Sequence, residues 1–199
     1  MSKDENYIIE EHPWAPWLPD GAKVLFMGTF PPGEHRWSMD FYYPNPNNDF
    51  WRIMGLLFLN DKNALYNPAG KSFDLQQIKQ LTQKHGIALS DSVKKARRLR
   101  GNASDKYLEV IEGNNPAAYL EQLPELTDLA TTGEKAASVI AELTGTTAPK
   151  MGEYCIWNYS DTRKVRIWRM PSTSRAYPLS LESKAEYYRN LFTVSGILT

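Results

Sequence analysis

A single cysteine, Cys155, stands among 199 residues, with three scattered histidines, His12, His35 and His85. One cysteine excludes an intrachain disulfide and any cluster held by four cysteines. The histidines share no metal-ligand spacing, so no metal site is expected from them. Cys155 reads as a core residue rather than a nucleophile. No apolar run is long enough to cross a bilayer; the longest lies near residues 53–59. Residues 1–11 are charged and lack the apolar stretch of a signal peptide, so the expectation is a cytoplasmic protein with no membrane partner. Neither sign of charge is in excess, since 23 Lys and Arg balance 23 Asp and Glu. The whole chain is therefore no obvious binder of polyanions. Repeats, low-complexity tracts and linkers are also lacking. Residues 1–199 are read as one domain with a full core, and as a monomer.

Short apolar runs alternate with amphipathic stretches. Residues 23–27 read as a buried parallel strand, bounded by Asp20-Gly21 and by Gly28. Residues 1–22 form an irregular lead-in, because Pro13, Pro16 and Pro19 exclude regular helix and central strand. A helix is expected over 49–59, with Phe50, Ile53, Met54 and Leu57 facing inward and Asn47 or Asn48 as its cap. A second is expected over 72–85, closed by Gly86. Residues 87–91 read as a strand, followed by a basic loop, a short helix near 104–112, and another helix opening at Asn115-Pro116. Then come a strand over 126–131, a helix over 133–144 and a strand pair over 154–159 and 165–170. A closing helix spans 183–195, with Ser183 and Glu186 as a capping box. Strands alternating with helices predict an α/β class: one three-layer α/β/α domain with a mainly parallel central sheet.

Ligands of such sheets bind beyond the carboxyl ends of the strands. That locates interest in residues 29–47, a long loop holding His35, Arg36, Trp37, Met39 and Asp40. Two basic clusters stand out. One is Lys94, Lys95, Arg97, Arg98 and Arg100; the other is Arg163, Lys164, Arg166, Arg169 and Arg175. Each reads either as a phosphate track or as a solvated charged surface.

The run Val24-Leu25-Phe26-Met27-Gly28-Thr29-Phe30-Pro31-Pro32 is followed by Tyr42-Tyr43-Pro44-Asn45-Pro46-Asn47-Asn48-Asp49-Phe50-Trp51. A strand, then Gly-Ser/Thr-x-Pro, then Tyr-Tyr-x-x-Pro-x-Asn-x-Phe-Trp resembles the first motif of the uracil-DNA glycosylase superfamily. The resemblance is strongest to its hypoxanthine-DNA glycosylase-like branch; the mismatch-specific glycosylases are more distant. Met170-Pro171-Ser172-Thr173-Ser174 resembles the superfamily's Leu-Pro-Ser-Thr-Ser loop. Residues 86–91 and 132–136 are similar to further segments in the same order, so the resemblance spans about 24–192.

The resemblance implies a monofunctional DNA glycosylase. Such an enzyme hydrolyses the N-glycosidic bond of a deaminated base, hypoxanthine or uracil, flipped out of DNA, and leaves an abasic site for base-excision repair. It implies no metal or organic cofactor, and DNA with a damaged or mismatched base as the partner. Asn48 matches the catalytic Asn of the hypoxanthine branch, where it would orient water; by its position alone it is also a helix cap. Asp49 and Asp40 are candidate general bases, or plain acids at a helix start and on a loop. Tyr43 matches the aromatic that stacks on the flipped base. Gly28, Thr29, Phe30, Pro31 and Phe50 complete the implied substrate pocket, with backbone amides facing the departing base. Pro171, Ser172, Thr173 and Ser174 would touch the DNA backbone, and Arg175 or Tyr177 would fill the gap left by the flipped nucleotide. Phe30 stands where the mismatch-specific branch carries its water-holding Asn. A catalytically inactive DNA- or nucleotide-binding protein of the same fold is the rival. A serine hydrolase using Ser172 or Ser174 lacks both the Gly-x-Ser-x-Gly elbow and a downstream histidine.

Overall fold

The computed structural model describes residues 8–99 and 105–199. In chain order the strands and helices are β1 (Ile9–Glu11), β2 (Val24–Gly28), α1 (Phe50–Leu59), β3 (Tyr66–Asn67), β4 (Ser72–Phe73), α2 (Leu75–His85), β5 (Ile87–Asp91), β6 (Val93–Arg98), β7 (Leu108–Gly113), α3 (Ala117–Leu120), β8 (Asp128–Thr132), α4 (Glu134–Thr144), β9 (Tyr154–Asn158), β10 (Lys164–Met170) and α5 (Leu181–Val194). The central sheet runs β5-β2-β8-β10-β9. Its first four strands are parallel and β9 is an antiparallel edge.

The apolar run of β2 exists because both faces of the sheet are covered. Val24 and Phe26 point into a core shared with α1, α2 and α5. Leu25 and Met27 point into the opposite core, shared with α3 and α4. All five residues of β2 are buried. The α/β expectation therefore holds, with a mainly parallel sheet between two helical layers.

Several local expectations change. The lead-in is not wholly irregular: β1 pairs antiparallel with β6, and Trp17 bridges Leu89 of β5. The prolines follow β1, which leaves its backbone free to pair. The basic stretch read as a loop is β6, and most of the stretch read as a short helix is β7, preceded by one turn over Asp105–Tyr107. Cross-strand ion pairs hold this hairpin, with Lys94 on Glu112 at 2.7 Å and Arg97 on Glu109 at 3.0 Å. Helix α2 begins after its cap Asp74, whose carboxylate accepts from the Gln77 amide at 3.0 Å. Helix α5 begins three residues before Lys184, because Ser180 rather than Ser183 is the cap and accepts from the Ser183 amide at 3.0 Å. Among the described residues no helix is long and apolar enough to cross a membrane.

Phe26 is fully buried, and its ring meets those of Phe50, Tyr188 and Phe192. It therefore joins the sheet to α1 and α5. Phe26→Ala is expected to lower stability by about 3–5 kcal/mol in urea unfolding; a loss below about 1 kcal/mol would show that the layers close without it.

Candidate active site

The parallel strands end in register. Gly28 pairs with Asp91 at the end of β5, and Thr132 pairs with Met170 at the end of β10. Beyond these ends lies a cleft of about 600 Å³. Gly28, Asp91 and Thr132 are at its floor. Residues 29–32 with Arg36 line one side, residues 43–45 with Asn47 and Asn48 another, and Ser172 to Ser174 with Tyr177 form its lip.

The floor needs glycine. A Cβ on Gly28 would come within 2.5 Å of Asp91 Oδ1 and 3.3 Å of the Tyr43 hydroxyl. Tyr43 itself has φ of +53°, a left-handed conformation that is rare outside glycine and costs energy. That turn lays its ring flat on Phe50, centroids 3.8 Å apart and planes 11° from parallel. Its hydroxyl meets Thr132 Oγ1 at 3.1 Å. Desolvation, then the nearby Asp91 charge, push the Tyr43 phenol far above its ordinary pKa, so it stays neutral. One face of Tyr43 is thus covered by Phe50. Phe50 is fully buried behind it and does not line the cleft, so it supports the pocket rather than touching a ligand.

Asn48 lines the cleft, and its side-chain oxygen accepts from the Phe50 amide at the start of α1 at 2.9 Å; the N-cap position is Asp49, whose side chain makes no capping bond. Of the two roles read from the sequence for Asn48, this hydrogen bond is the structural one. Asp49 is different. It is 5% exposed, lies outside the cleft lining, and both its oxygens hold cations: Arg175 Nε at 3.1 Å and Lys184 Nζ at 2.9 Å. Two cations on one carboxylate make a structural clamp, not an exposed acid waiting for a proton. Asp40 is exposed, accepts from the Trp14 indole and is also outside the cleft lining.

The second motif meets the first. Asp49 N donates to the Thr173 carbonyl at 2.8 Å, Asn48 and Ser174 form a bridge, and Lys184 Nζ donates to the Ser174 carbonyl at 2.8 Å. Ser172 and Ser174 line the cleft, and their hydroxyls accept from the Ser174 and Ala176 amides, each at 3.3 Å. Thr173 is buried, and Pro171 is buried with its carbonyl accepting from the Tyr188 hydroxyl. Arg175 is tied to Asp49 and to Asn47. Tyr177 lies along the lip, with its hydroxyl on the Met151 sulfur at 3.1 Å. Thr29 is buried and donates to Asp105 at 2.9 Å; Phe30 is half-buried in the cleft wall, and Pro31 is buried beside it.

The basic clusters are largely neutralised. In the first, Lys94, Lys95, Arg97 and Arg98 each pair with a glutamate; Arg100 lies outside the described residues. In the second, Arg163 donates to the carbonyls of Leu120, Leu123 and Leu126, and Arg166 forms a bidentate pair with buried Asp128. Arg163, Lys164 and Arg166 also stand at the end of β10 away from the cleft. Among the described residues that line the cleft, Arg36 is the cation.

Sequence reasoning missed Asp91, Asp105, Thr132 and His12. Asp91 and Thr132 end parallel strands, and the strand-end rule already applied to Gly28 could have found them. Asp105 sits on an exposed turn, yet its carboxyl is surrounded by cleft atoms; desolvation raises its pKa against the Thr29 hydrogen bond. His12 leaves no local signal. It reaches Asp91 Oδ2 with Nε2 at 2.9 Å across 79 positions of sequence. Burial opposes its charge, but the hydrogen bond and charge of Asp91 outweigh that, and its pKa is raised above 6.5.

No family model matches this chain, and no curated protein matches it. Among solved structures it is similar to the solution NMR structure of "a putative Uracil DNA glycosylase from Methanosarcina acetivorans". The two share 20% identity over 92% of this chain and 99% of that one, with a TM-score of 0.58. At that identity the likeness establishes a common fold.

Removing Lys184 leaves the buried Asp49 with Arg175 alone. Lys184→Met is expected to cost about 3–5 kcal/mol in urea unfolding; a neutral outcome would show that the clamp is not what joins the two loops. The folded pKa of His12 lies above its unfolded value, so its stabilisation is complete below pH 6.5 and is lost as pH rises through the folded pKa. The stability gap between the native protein and His12→Leu should therefore narrow as pH rises above about 6.5. A gap independent of pH would contradict the ion pair.

Proposed function

We propose that this protein is a monofunctional DNA glycosylase. It acts as a monomer on hypoxanthine or uracil flipped out of DNA, hydrolyses the N-glycosidic bond, leaves an abasic site and uses no metal or organic cofactor. One observation carries the reading. The two segments that resemble the superfamily's motifs lie more than a hundred residues apart, yet they are hydrogen-bonded to each other and line the same cleft. The cleft opens at the carboxyl edge of the sheet, where ligands of such folds bind.

The chemistry follows from the side chains. The free face of Tyr43 offers a flat surface to a base, and its fixed neutral hydroxyl cannot repel one. Cleavage of the glycosidic bond gives the sugar oxocarbenium character, and such a centre accepts a weakly activated nucleophile. Asn48 cannot take up a proton at neutral pH, so its part is to orient water with the amide group that the Phe50 amide holds in place. Ser172 and Ser174 offer hydroxyls to phosphate oxygens at the lip, and Arg36 offers charge on the far side. Arg175 is held by Asp49, which leaves Tyr177 as the residue for the gap in the duplex. No lysine lines the cleft among the described residues, and the proposed reaction ends at the abasic site without strand cleavage.

A catalytically inactive DNA-binding protein is the second reading. What favours it is Phe30 in the wall, together with the engagement of the Asn48 oxygen by the Phe50 amide. End-labelled oligonucleotides carrying one uracil, one hypoxanthine or a G·T mismatch, single- and double-stranded, separate the two once abasic sites are cleaved by hot alkali. Cleavage of the uracil or hypoxanthine strand is expected, with Asn48→Ala slower by about 100-fold or more at unchanged stability. Binding in a low-salt gel shift with no cleavage of any substrate would establish the inactive reading.

A further inference from the structure

We propose that the open edge of β7, with the groove between it and α4, docks an extended peptide of another protein. The peptide adds as a strand antiparallel to β7, with a basic residue toward Glu142 and an acidic residue toward Lys135. The groove involves neither of the two motifs, so the inference does not depend on the glycosylase reading.

The sheet β1-β6-β7 ends at β7, which has no strand on its other side among the described residues. One row of its backbone N–H and C=O groups is therefore open to a further strand. Proteins usually blunt such an edge with proline, lysine or a covering element. β7 has neither proline nor lysine. Its two acids are occupied within the sheet, Glu109 with Arg97 at 3.0 Å and Glu112 with Lys94 at 2.7 Å.

Helix α4 lies beside this edge. At one end the two elements meet closely: a Cβ on Gly113 would come within 2.9 Å of Leu143 Cδ1. Between them is a groove of about 320 Å³. Val110, Val139 and Leu143 give it an apolar lining that packs into a core cluster from beneath, and Ile111 is 40% exposed beside them. Unpaired backbone next to an apolar groove suits an extended peptide, whose main chain completes the ladder while alternate side chains enter the groove. A docked helix or a nucleic-acid strand would leave the β7 backbone groups without partners.

Charge sets the direction. Lys135 and Glu142 both line the groove, and neither forms an ion pair among the described residues, whereas neighbouring Glu134 pairs with Arg169 at 3.6 Å. The Ser138 hydroxyl between them is satisfied by the Glu134 carbonyl. Lys135 stands at the end where β7 begins, since its charge reaches Asp105; Glu142 stands beside Leu143, at the Gly113 end. An antiparallel strand therefore meets Glu142 first and Lys135 last, so its base precedes its acid. The two charges lie about 10 Å apart along the helix. Strand residues four apart lie about 13 Å apart on one face, a difference that long side chains absorb. The expected pattern is base-x-apolar-x-acid. It occurs nowhere in the 199 residues, which points to a different protein rather than a second copy.

The probe is a fluorescein-labelled peptide with the core Arg-Thr-Val-Thr-Glu, titrated with the full-length protein in fluorescence anisotropy. It should bind at least about 10-fold more tightly than the reversed core Glu-Thr-Val-Thr-Arg. The double variant Lys135→Glu with Glu142→Lys should invert that preference. It also places an acid in the first turn of α4 and a cation in the last, so it should fold, as a circular dichroism melt checks. Methylating alternate peptide nitrogens tests the ladder without altering the protein: one parity should abolish binding and the other should leave it nearly unchanged. Equal loss with both parities would overturn strand addition. An unchanged preference in the double variant would overturn the assigned direction. No binding of either peptide, dimerisation in sedimentation through the same residues, or displacement of the peptide by a single-stranded oligonucleotide would overturn the proposal.

Discussion

Lys184 brings its charge to a place that water does not reach, and the layout of the cleft depends on what it meets there. Its ammonium is fully buried and lies between the Asp49 carboxylate and the Ser174 carbonyl. Asp49 opens α1, Ser174 belongs to the loop after β10, and Lys184 sits on α5. One cation therefore joins three elements that the chain brings together from far apart. An unpaired buried charge is costly, so the pairing constrains all three elements at once. The Asp49 amide on the Thr173 carbonyl and the Asn48–Ser174 bridge add neutral hydrogen bonds to the same seam. Their geometry fixes how far apart the two sides of the cleft stand.

A second buried pair acts from below. His12 and Asp91 meet beneath the floor, and Gly28 leaves room for them. The two pairs differ in consequence. Asp49 has both oxygens occupied and faces away from the cleft lining, so it contributes rigidity. Asp91 has one oxygen on His12 and lines the cleft, so it joins the buried pair to the floor. Tyr43, in its left-handed conformation between Phe50 and the cleft, is fixed by packing rather than charge. The strain at Tyr43 is tolerated because a stacked ring, a hydroxyl contact and a crowded glycine all favour the same orientation.

Charge elsewhere is organised for folding. The β6–β7 hairpin carries its cations opposite glutamates, and the Arg163 guanidinium satisfies carbonyls after α3. Most of the described cations in the clusters that look like phosphate tracks are thereby paired within the protein. What remains at the cleft is sparse: one arginine on its side and a lip of serine hydroxyls. A neutral protein with such a site would hold nucleic acid through shape and a few hydrogen bonds more than through a broad electrostatic surface.

The sequence by itself determined the class of fold, the strand that anchors it and the neighbourhood of the cleft. A run such as residues 24–27, apolar on both alternations, is stable only where both faces of a sheet are covered, and ligands of such sheets gather at the strand ends. It offered Asn47 or Asn48 for the start of α1; the N-cap position is Asp49, and Asn48 bonds the first helical amide from one residue before it. It misread residues 93–98 and 108–113, because charged residues stabilise strands only through partners across a ladder that no single segment reveals. A trace of Lys184 was present, a lysine four and seven positions before Tyr188 and Leu191 on an inward stripe, but its meaning needed Asp49. Only the tertiary structure decided which acids are clamps and which line the cleft, and that His12 pairs with Asp91. Ion pairs and shared hydrogen bonds act over a few ångströms of space, and local sequence patterns are silent about residues 79 or 135 positions away.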